Sequence, residues 1–298
     1  MESPVRARFL VNPFSGVPLA QPRPYGLIEK ALLGTDWDFD IRILKGRGDG
    51  EAQARRAVAE GVGLVVGIGG DGTLHEIGNG LVGTETALGI LPYGSGNAFA
   101  RALGVPMVSH RAVRSLLSGR PVALDVGEVE GRVFLSTAGM GLDGAVGLEF
   151  EKSPFRGGIP YFGIAAMEFL QHRPMEARVE ANGESRTLRP LLVTIANTNQ
   201  FGMGVVIAPK AKPDDGLLDV CLISEVSVLE ALIHSPKLFL GSIDQVPNVE
   251  LFQTTEVRVI LEREVPAHLD GEPRALPRDA VFRVRPRALR VWLPGSGN

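Results

Sequence analysis

The chain has 298 residues, of which 44% are hydrophobic and 22% charged. This is ordinary for a globular protein that buries a core, and the length is comfortable for two domains. A net charge of −3, with Lys and Arg scattered along the chain, offers no basic face for nucleic acid. The one cysteine, Cys221, excludes an internal disulfide and a cysteine-based zinc site, and it fits a reducing, cytoplasmic setting. The start, MESPVRARFL, lacks the apolar core of a signal peptide. No stretch approaches the ~18 consecutive apolar residues of a spanning helix. The expectation is a soluble protein that at most rests on a membrane.

The first 125 or so residues alternate apolar runs with helix-like segments. RARFLV ends a short buried strand at NPFSG. GLIEKALLG has helical spacing, and DFDIRIL alternates like a strand. GEAQARRAVAEG is rich in good helix formers and closes on Gly. GLVVGIG is a continuous apolar strand, as expected where both faces of a sheet are covered. A helix follows to about Leu81, then the strand ALGILP, the loop YGSGN and the helices AFARAL and HRAVRSLLSG. Alternation of this kind predicts an open, mostly parallel α/β sheet over residues 1–124.

After about Val122 the pattern shifts to short strands and turns. ALDVGEVEGRVFLSTAGMG reads as two strands around Glu130-Gly131, and Asn182-Gly183 is a hairpin signal. GLLDVCLI, TEVRVILE, PAHLDGEPRAL, AVFRVRP and ALRVWLP continue in the same manner. Residues 125–287 are expected to form a β-sandwich or flattened barrel. Two helical insertions interrupt it, IPYFGIAAMEFLQH and SVLEALIHSPKLFLGS.

In a parallel sheet the C-terminal tips of the strands share one edge, and ligands bind there. Three tips carry special residues: Asn12 to Gly16, Gly69 to Thr73, and Gly94 to Asn97. Thr73 and Glu76 have capping-box spacing, which predicts a helix starting at Leu74. The N–H groups of Gly70, Gly72 and Thr73 would then face an anion at the helix N-terminus. GGDG alone reads equally well as a tight turn, Glu76 as a helix cap, and Asn12 and Asn97 as helix caps.

Residue types exclude several chemistries. There is no G-x-x-x-x-G-K-[ST] phosphate loop, the pattern around GIGGDG lacks the third glycine of a dinucleotide fingerprint, Pro92 removes the G-x-S-x-G elbow around Ser95, and no H-E-x-x-H pair occurs. Asp71 is informative because a bare carboxylate repels a triphosphate in a cleft. Mg²⁺ or an acceptor hydroxyl between the two makes the arrangement favourable. A Mg²⁺-nucleotide, with Asp71 acting on the metal or on the attacking group, is the expected ligand.

NPFSG, GGDGTLHEIGNGL, LPYGSGNAFAR, AGMGLDGAV, PDDGLLDV and HLDGEP, in this order, resemble the diacylglycerol kinase catalytic-domain family, which includes bacterial lipid kinases and the sphingosine and ceramide kinases. The resemblance spans almost the whole chain. It implies an N-terminal α/β domain of the NAD-kinase and diacylglycerol-kinase kind that binds ATP. It also implies a C-terminal β-sandwich that binds lipid, with chemistry in the cleft between them. The last strand, residues 288–298, is expected to return to the first domain. Carried over, Gly69, Gly70, Asp71, Gly72 and Thr73 hold the nucleotide phosphates, with Asn12, Ser95, Gly96 and Asn97 nearby. Asp71 and Glu272 are the catalytic pair, Glu272 serving as general base for the acceptor hydroxyl. Asp215, with the Lys212 and Leu217 carbonyls, resembles a structural Mg²⁺ site. From the residues alone, Asp270-Gly271 and Asp214-Asp215-Gly216 are ordinary turns.

Ala98 departs from the Asp that many bacterial diacylglycerol kinases carry after Asn97, and GSGNA resembles the sphingosine and ceramide kinase form. Asp143 reads either as a contact for the acceptor head group or as a turn cap. Tyr161, Phe162, Ile164, Met167 and Phe169 in one insertion, and Leu229, Leu232, Ile233, Leu238 and Phe239 in the other, read as core or as membrane contact. The expected partners are a lipid substrate drawn from a membrane surface and a second copy of the chain. The rival readings are a NAD kinase, which also carries G-G-D-G-T, and a nucleotide or lipid sensor without turnover.

Overall fold

The computed structural model describes residues 5–16, 25–153 and 157–294. Met1 to Pro4, part of the segment read for a leader, lie outside them. The chain divides into two compact units, Met1–Leu124 with Arg287–Asn298, and Asp125–Pro286.

The first unit contains β1 (Arg6–Val11), α1 (Tyr25–Leu32), β2 (Asp38–Ile43), α2 (Asp49–Ala59), β3 (Leu64–Gly69), α3 (Asp71–Leu81), β4 (Ala87–Pro92), α4 (Ala98–Ala102), α5 (Ser109–Leu117) and the start of β5 (Gly119–Val129). The order β2-β1-β3-β4 is parallel throughout. The C-terminal segment adds a further parallel strand, placing Val291 and Trp292 beside Leu88 and Gly89. Every residue of β3 and β4 is buried. Both strands are apolar on both faces because helices cover both: on one face Ile28 and Leu32 of α1 join Ala112, Val113 and Leu116 of α5 in a core with Phe9, Val66 and Leu91, and on the other Leu74 and Ile77 of α3 lie against Gly67. On α3, a side chain at Gly80 would meet the Ala54 Cβ at 2.7 Å and the Glu51 carbonyl at 2.8 Å, so glycine is what lets α2 approach.

Strand order reverses direction between β1 and β3, and that switch point is where an open α/β sheet leaves a crevice at its strand tips. The tips after β1 and β3 are NPFSG and GGDG.

Arg8 is buried in this sheet, yet it is fully paired. It forms a fork with Asp40 at 2.8 and 2.9 Å and reaches Glu60 at 2.7 Å. The Arg8 hydrogen bond is the main reason that the Asp40 carboxyl titrates below its ordinary value. A lowered folded-state pKa gives stability that is present above the unfolded pKa and lost as pH falls through the folded one. Arg8→Met is therefore expected to lower Tm at pH 7, and the gap to the parent should narrow steadily below about pH 4. Thermal unfolding from pH 7 to pH 3 measures this, and a gap that is constant with pH would remove the ion pair as its cause.

The second unit continues β5 and adds β6 (Arg132–Phe134), β7 (Thr137–Gly141), α6 (Leu142–Lys152), α7 (Gly158–Gln171), β8 (Ala177–Ala181), β9 (Glu184–Leu188), β10 (Pro190–Ala196), β11 (Gln200–Gly202), β12 (Val205–Val206), β13 (Leu218–Ser224), α8 (Val228–Leu240), β14 (Val249–Thr254), β15 (Glu256–Leu261), β16 (Ala267–Leu269), β17 (Glu272–Pro273) and β18 (Asp279–Pro294). One sheet runs β14-β13-β10-β7-β16-β17 and is antiparallel. The other contains β15, β8, β9 and the first part of β18, with β5 and β6. Their inner faces share one core, read directly from period-two alternation: Ala138 and Met140, Val193 and Ile195, and Leu218, Val220 and Leu222 from the first sheet meet Val257, Val259 and Leu261, Ala280 and Phe282 from the second. This is a β-sandwich.

Four turns take the positive φ pairs of tight hairpins: Glu130-Gly131 at 50° and 70°, Asn182-Gly183 at 54° and 79°, Met203-Gly204 at 51° and 85°, and Asp270-Gly271 at 53° and 82°. Helix α6 is a departure from the sequence reading, which placed no helix after AGMG. It packs on the outer face of the first sheet.

Candidate functional site

Two clusters of expected residues form, one in each unit. In the first unit the three strand tips are tied to one another. Main-chain bonds fix their heights, from the Asn12 N–H to the Ile68 carbonyl at 3.0 Å and from the Tyr93 N–H to the Gly69 carbonyl at 2.8 Å. The Asn12 amide donates to the Thr73 hydroxyl at 2.9 Å, and its oxygen accepts the Phe14 N–H at 2.9 Å. The Ser15 and Thr73 hydroxyls lie 3.4 Å apart. Asn12 therefore joins two loops, which corrects the reading of it as a helix cap.

Glycine is obligatory where these loops meet. A Cβ on Gly94 would sit 2.4 Å from the Gly70 Cα, and one on Gly69 would sit 2.3 Å from the Thr73 hydroxyl. Asn97 takes φ 51°, and its side chain closes the GSGN loop by accepting the Gly94 N–H at 2.9 Å and donating to the Gly94 carbonyl at 2.8 Å. Asn97 precedes α4 but makes no side-chain cap for it. That task falls to Asp71, whose Oδ1 accepts the Phe99 N–H at 3.2 Å in the first turn of α4. Its Oδ2 borders Gly96, where a Cβ would approach to 3.1 Å. Ser95 and Gly96 are half-buried between these contacts.

The capping box does not form. Helix α3 begins at Asp71, with Gly70 as N-cap and no side-chain cap. This leaves the N–H groups of Gly72 and Thr73 in the first turn, where no helical carbonyl precedes them. Thr73 is turned to Asn12, and Glu76 instead accepts the Gly48 and Gly50 N–H groups at 2.6 and 2.9 Å, capping α2. Arg101, which the sequence motifs give no role, is an exposed cation whose Nε donates to the Gly96 carbonyl at 3.0 Å. The assembly is a rigid loop cluster with helix N–H groups, hydroxyls, one fixed carboxylate and one guanidinium.

In the second unit Glu272 is half-buried on β17, directly after the Asp270-Gly271 turn, and pairs with Leu269. The turn is anchored from both sides. The buried Asp270 carboxylate accepts the N–H groups of Leu135 at 2.8 Å, Ser136 at 2.7 Å and Thr137 at 3.2 Å. The Gly271 N–H donates to the His268 Nδ1 at 3.1 Å. His268 Nε2 lies 2.9 Å from Asp143 Oδ1, and the Thr194 hydroxyl donates to Asp143 Oδ2 at 2.9 Å. Burial disfavours the imidazolium and the Asp143 charge and hydrogen bond favour it, with a net upward push on the His268 pKa; the Gly271 N–H at Nδ1, which only the neutral ring can accept, opposes that push. Asp143 is 7% exposed and its carboxylate is engaged with His268 and Thr194, in place of the turn cap read from the sequence.

The Asp214-Asp215-Gly216 loop is held by the buried Asp125, whose Oδ2 accepts the Gly216 N–H and whose own N–H donates to the Pro213 carbonyl, both at 2.7 Å. The Asp215 Oδ1 accepts the Leu217 N–H at 3.0 Å. Burial raises the Asp219 pKa, with Asp215 adding repulsion. Among the described residues no cluster of three His, Cys, Asp or Glu side chains could hold a metal. The expected set of one carboxylate with the Lys212 and Leu217 carbonyls is all oxygen, which suits Mg²⁺ completed by water.

Helices α7 and α8 bury none of their residues. Phe162, Met167, Leu229, Leu232, Ile233 and Phe239 are exposed, whereas Phe169 and Leu238 line a cavity of about 410 Å³ beneath the two helices. Its floor is the outer face of β10, β13 and β14, through Leu192, Ile223 and Val249. No helix among the described residues is long and apolar enough to cross a membrane.

Each of the two units matches a known family model. The diacylglycerol kinase catalytic domain matches residues 6–129, and the YegS C-terminal NAD kinase beta sandwich-like domain matches residues 136–293. A Pseudomonas syringae pv. syringae (strain B728a) protein described as "Probable lipid kinase YegS-like" is 34% identical over 274 residues, covering 87% of this chain and 85% of its own length. An Escherichia coli (strain SMS-3-5 / SECEC) protein described as "Probable lipid kinase YegS" is 29% identical over 265 residues, covering 85% of this chain and 86% of its own length. A crystal structure described as a diacylglycerol kinase from Bacillus anthracis str. Sterne superposes with a TM-score of 0.72 at 20% identity, covering 98% of this chain and 97% of that one.

Proposed function

Because the chain belongs to the diacylglycerol kinase catalytic-domain family, it is a kinase, and we propose that it transfers the γ-phosphate of Mg-ATP to a hydroxyl group of a lipid. The observation that carries this reading is the closed loop cluster. Gly69 to Thr73 and Gly94 to Asn97 touch backbone to backbone, with helix N–H groups available to phosphate and Asp71 fixed among them. Phosphoryl transfer asks for positioning and charge neutralisation rather than covalent chemistry, and this is what such a cluster supplies. Asn12, Thr73, Ser95 and Arg101 orient the phosphates. Asp71 holds a metal ion or orients the attacking group, and Glu272 accepts the hydroxyl proton. Asp215, with the Lys212 and Leu217 carbonyls, would hold a structural Mg²⁺, which would supply positive charge to this loop.

The acyl or sphingoid chain of the acceptor occupies the apolar cavity beneath α7 and α8. Its volume of about 410 Å³ falls within the range of ~300–1,000 Å³ usual for small-molecule sites. The exposed apolar residues of the same helices rest on the membrane from which the lipid is drawn. Filling the cavity by Ala231→Trp is expected to raise KM for a long-chain acceptor about tenfold, the effect of losing apolar burial worth a few methylenes. A short-chain, water-soluble acceptor should be used as well as before. Equal KM values for the long-chain acceptor in variant and parent would place the chain elsewhere.

The deciding experiment follows labelled γ-phosphate from Mg-ATP to diacylglycerol, monoacylglycerol, sphingosine, ceramide, phosphatidylglycerol and NAD. One labelled lipid is expected, and Asp71→Asn should lower its formation about 100-fold, the scale of losing one preorganised electrostatic group. Asn keeps an acceptor for the Phe99 N–H, so the fold should survive. Label on NAD would make the enzyme a nucleotide kinase. Tight ATP binding with no transfer to any acceptor would favour a sensor.

A further inference from the structure

Period-two alternation puts Gly139, Thr194 and His268 on the outer face of their sheet, because their neighbours Ala138 and Met140, Val193 and Ile195, and Ala267 and Leu269 fill the sandwich core. Helix α6 covers this face and brings Asp143 onto it. The fit leaves no slack. A Cβ on Gly139 would lie 1.9 Å from the Asp143 Oδ2 and 2.5 Å from the His268 Nε2, and one on Gly144 would lie 2.1 Å from the Pro266 carbonyl oxygen. Two glycines of AGMGLDGAV therefore make room for a carboxylate–imidazole pair.

The partners assign the ring's tautomer. Nδ1 accepts the Gly271 N–H, so it carries the lone pair, and Nε2–H donates to Asp143. The buried carboxylate receives a second donor from Thr194. We infer that the Thr194–Asp143–His268 chain is a positioning device for the D-G-E turn: it orients His268 so that Nδ1 holds the Gly271 N–H, and Gly271 in turn sets where Glu272 stands. Asp270 fixes the near side of the turn and His268 the far side. Glu272 lies one residue beyond that second anchor. This inference rests on the reading of Glu272 as the group that accepts the acceptor's proton.

Two conservative replacements separate the two ring nitrogens. The amide of His268→Gln reaches the Nε2 position and still donates to Asp143, but it offers nothing at Nδ1. His268→Asn places its amide oxygen near Nδ1 and leaves Asp143 with one donor fewer. With Mg-ATP and detergent micelles of the panel acceptor that takes label, His268→Gln is expected to lower kcat about tenfold or more, since small misplacements at a reacting group are costly. KM for ATP should be unchanged. Hydrogen–deuterium exchange of the peptide covering residues 267–275 should quicken in the same variant. His268→Asn should lose more thermal stability yet keep kcat within about threefold and keep the turn protected, because the turn anchor is retained. Activity losses that simply follow Tm in both variants, or unchanged exchange in His268→Gln, would overturn the inference. Full activity in Glu272→Gln would instead remove the proton-acceptor reading, and the exchange measurement would still decide whether His268 holds the turn.

Discussion

Glu272→Gln is expected to lower phosphate transfer about 1,000-fold, within the ~10²–10⁴ range that a positioned general base contributes. Gln matches Glu in size and keeps an oxygen that accepts hydrogen bonds, so the pairing of residue 272 with Leu269 should persist. What disappears is the ability to take a proton as the hydroxyl attacks. The loss should fall on kcat. ATP affinity should hold, because the phosphate loops belong to the first unit and Glu272 to the second. Single-turnover transfer and calorimetric ATP titration together test this. A kcat within about threefold of the parent would assign proton removal to another group.

The largest effect on stability is expected at Asp270. Replacement by Ala strands three buried N–H groups, those of Leu135, Ser136 and Thr137. Each unsatisfied buried donor costs about 1–3 kcal/mol, and an alanine at φ 53° adds about 1 kcal/mol of backbone strain. The sum is roughly 4–10 kcal/mol, a large share of a typical domain's stability. Asp270→Asn keeps one accepting oxygen and suits the left-handed conformation, so it should lose about half as much. Urea unfolding of the two variants checks the order. Equal losses would mean that the carboxylate, and not the count of satisfied N–H groups, is what matters.

Features with a local cause were legible in the sequence. The continuous apolar runs of β3 and β4 predicted strands covered on both faces. The Glu-Gly, Asn-Gly and Asp-Gly pairs fold as hairpin turns because only a few residue types accept two positive φ angles in succession. Three glycine- or asparagine-bearing strand tips at one edge followed from the parallel alternation, since such a sheet brings its carboxyl ends together. The motif resemblance then added Glu272, which its own neighbourhood marks only as part of a turn.

Partners far apart in sequence were not legible. Glu76 has the spacing of a local cap, yet it serves Gly48 and Gly50 of another helix because α2 packs on α3. The sequence reading places no helix over GLDGAVGLEFEK, whose glycines are poor helix formers. In helix α6, Gly144 passes against the Pro266 carbonyl, a contact no propensity encodes. His268 and Asp143 are unremarkable residues in separate motifs until sheet register and helix packing place their side chains 2.9 Å apart. The sequence by itself determined backbone conformation, strand parity and the family, because these depend on neighbouring residues or on recurring motifs. Tertiary structure alone decided which buried polar group meets which, because a hydrogen-bonding side chain is satisfied by whatever the packed elements bring within reach.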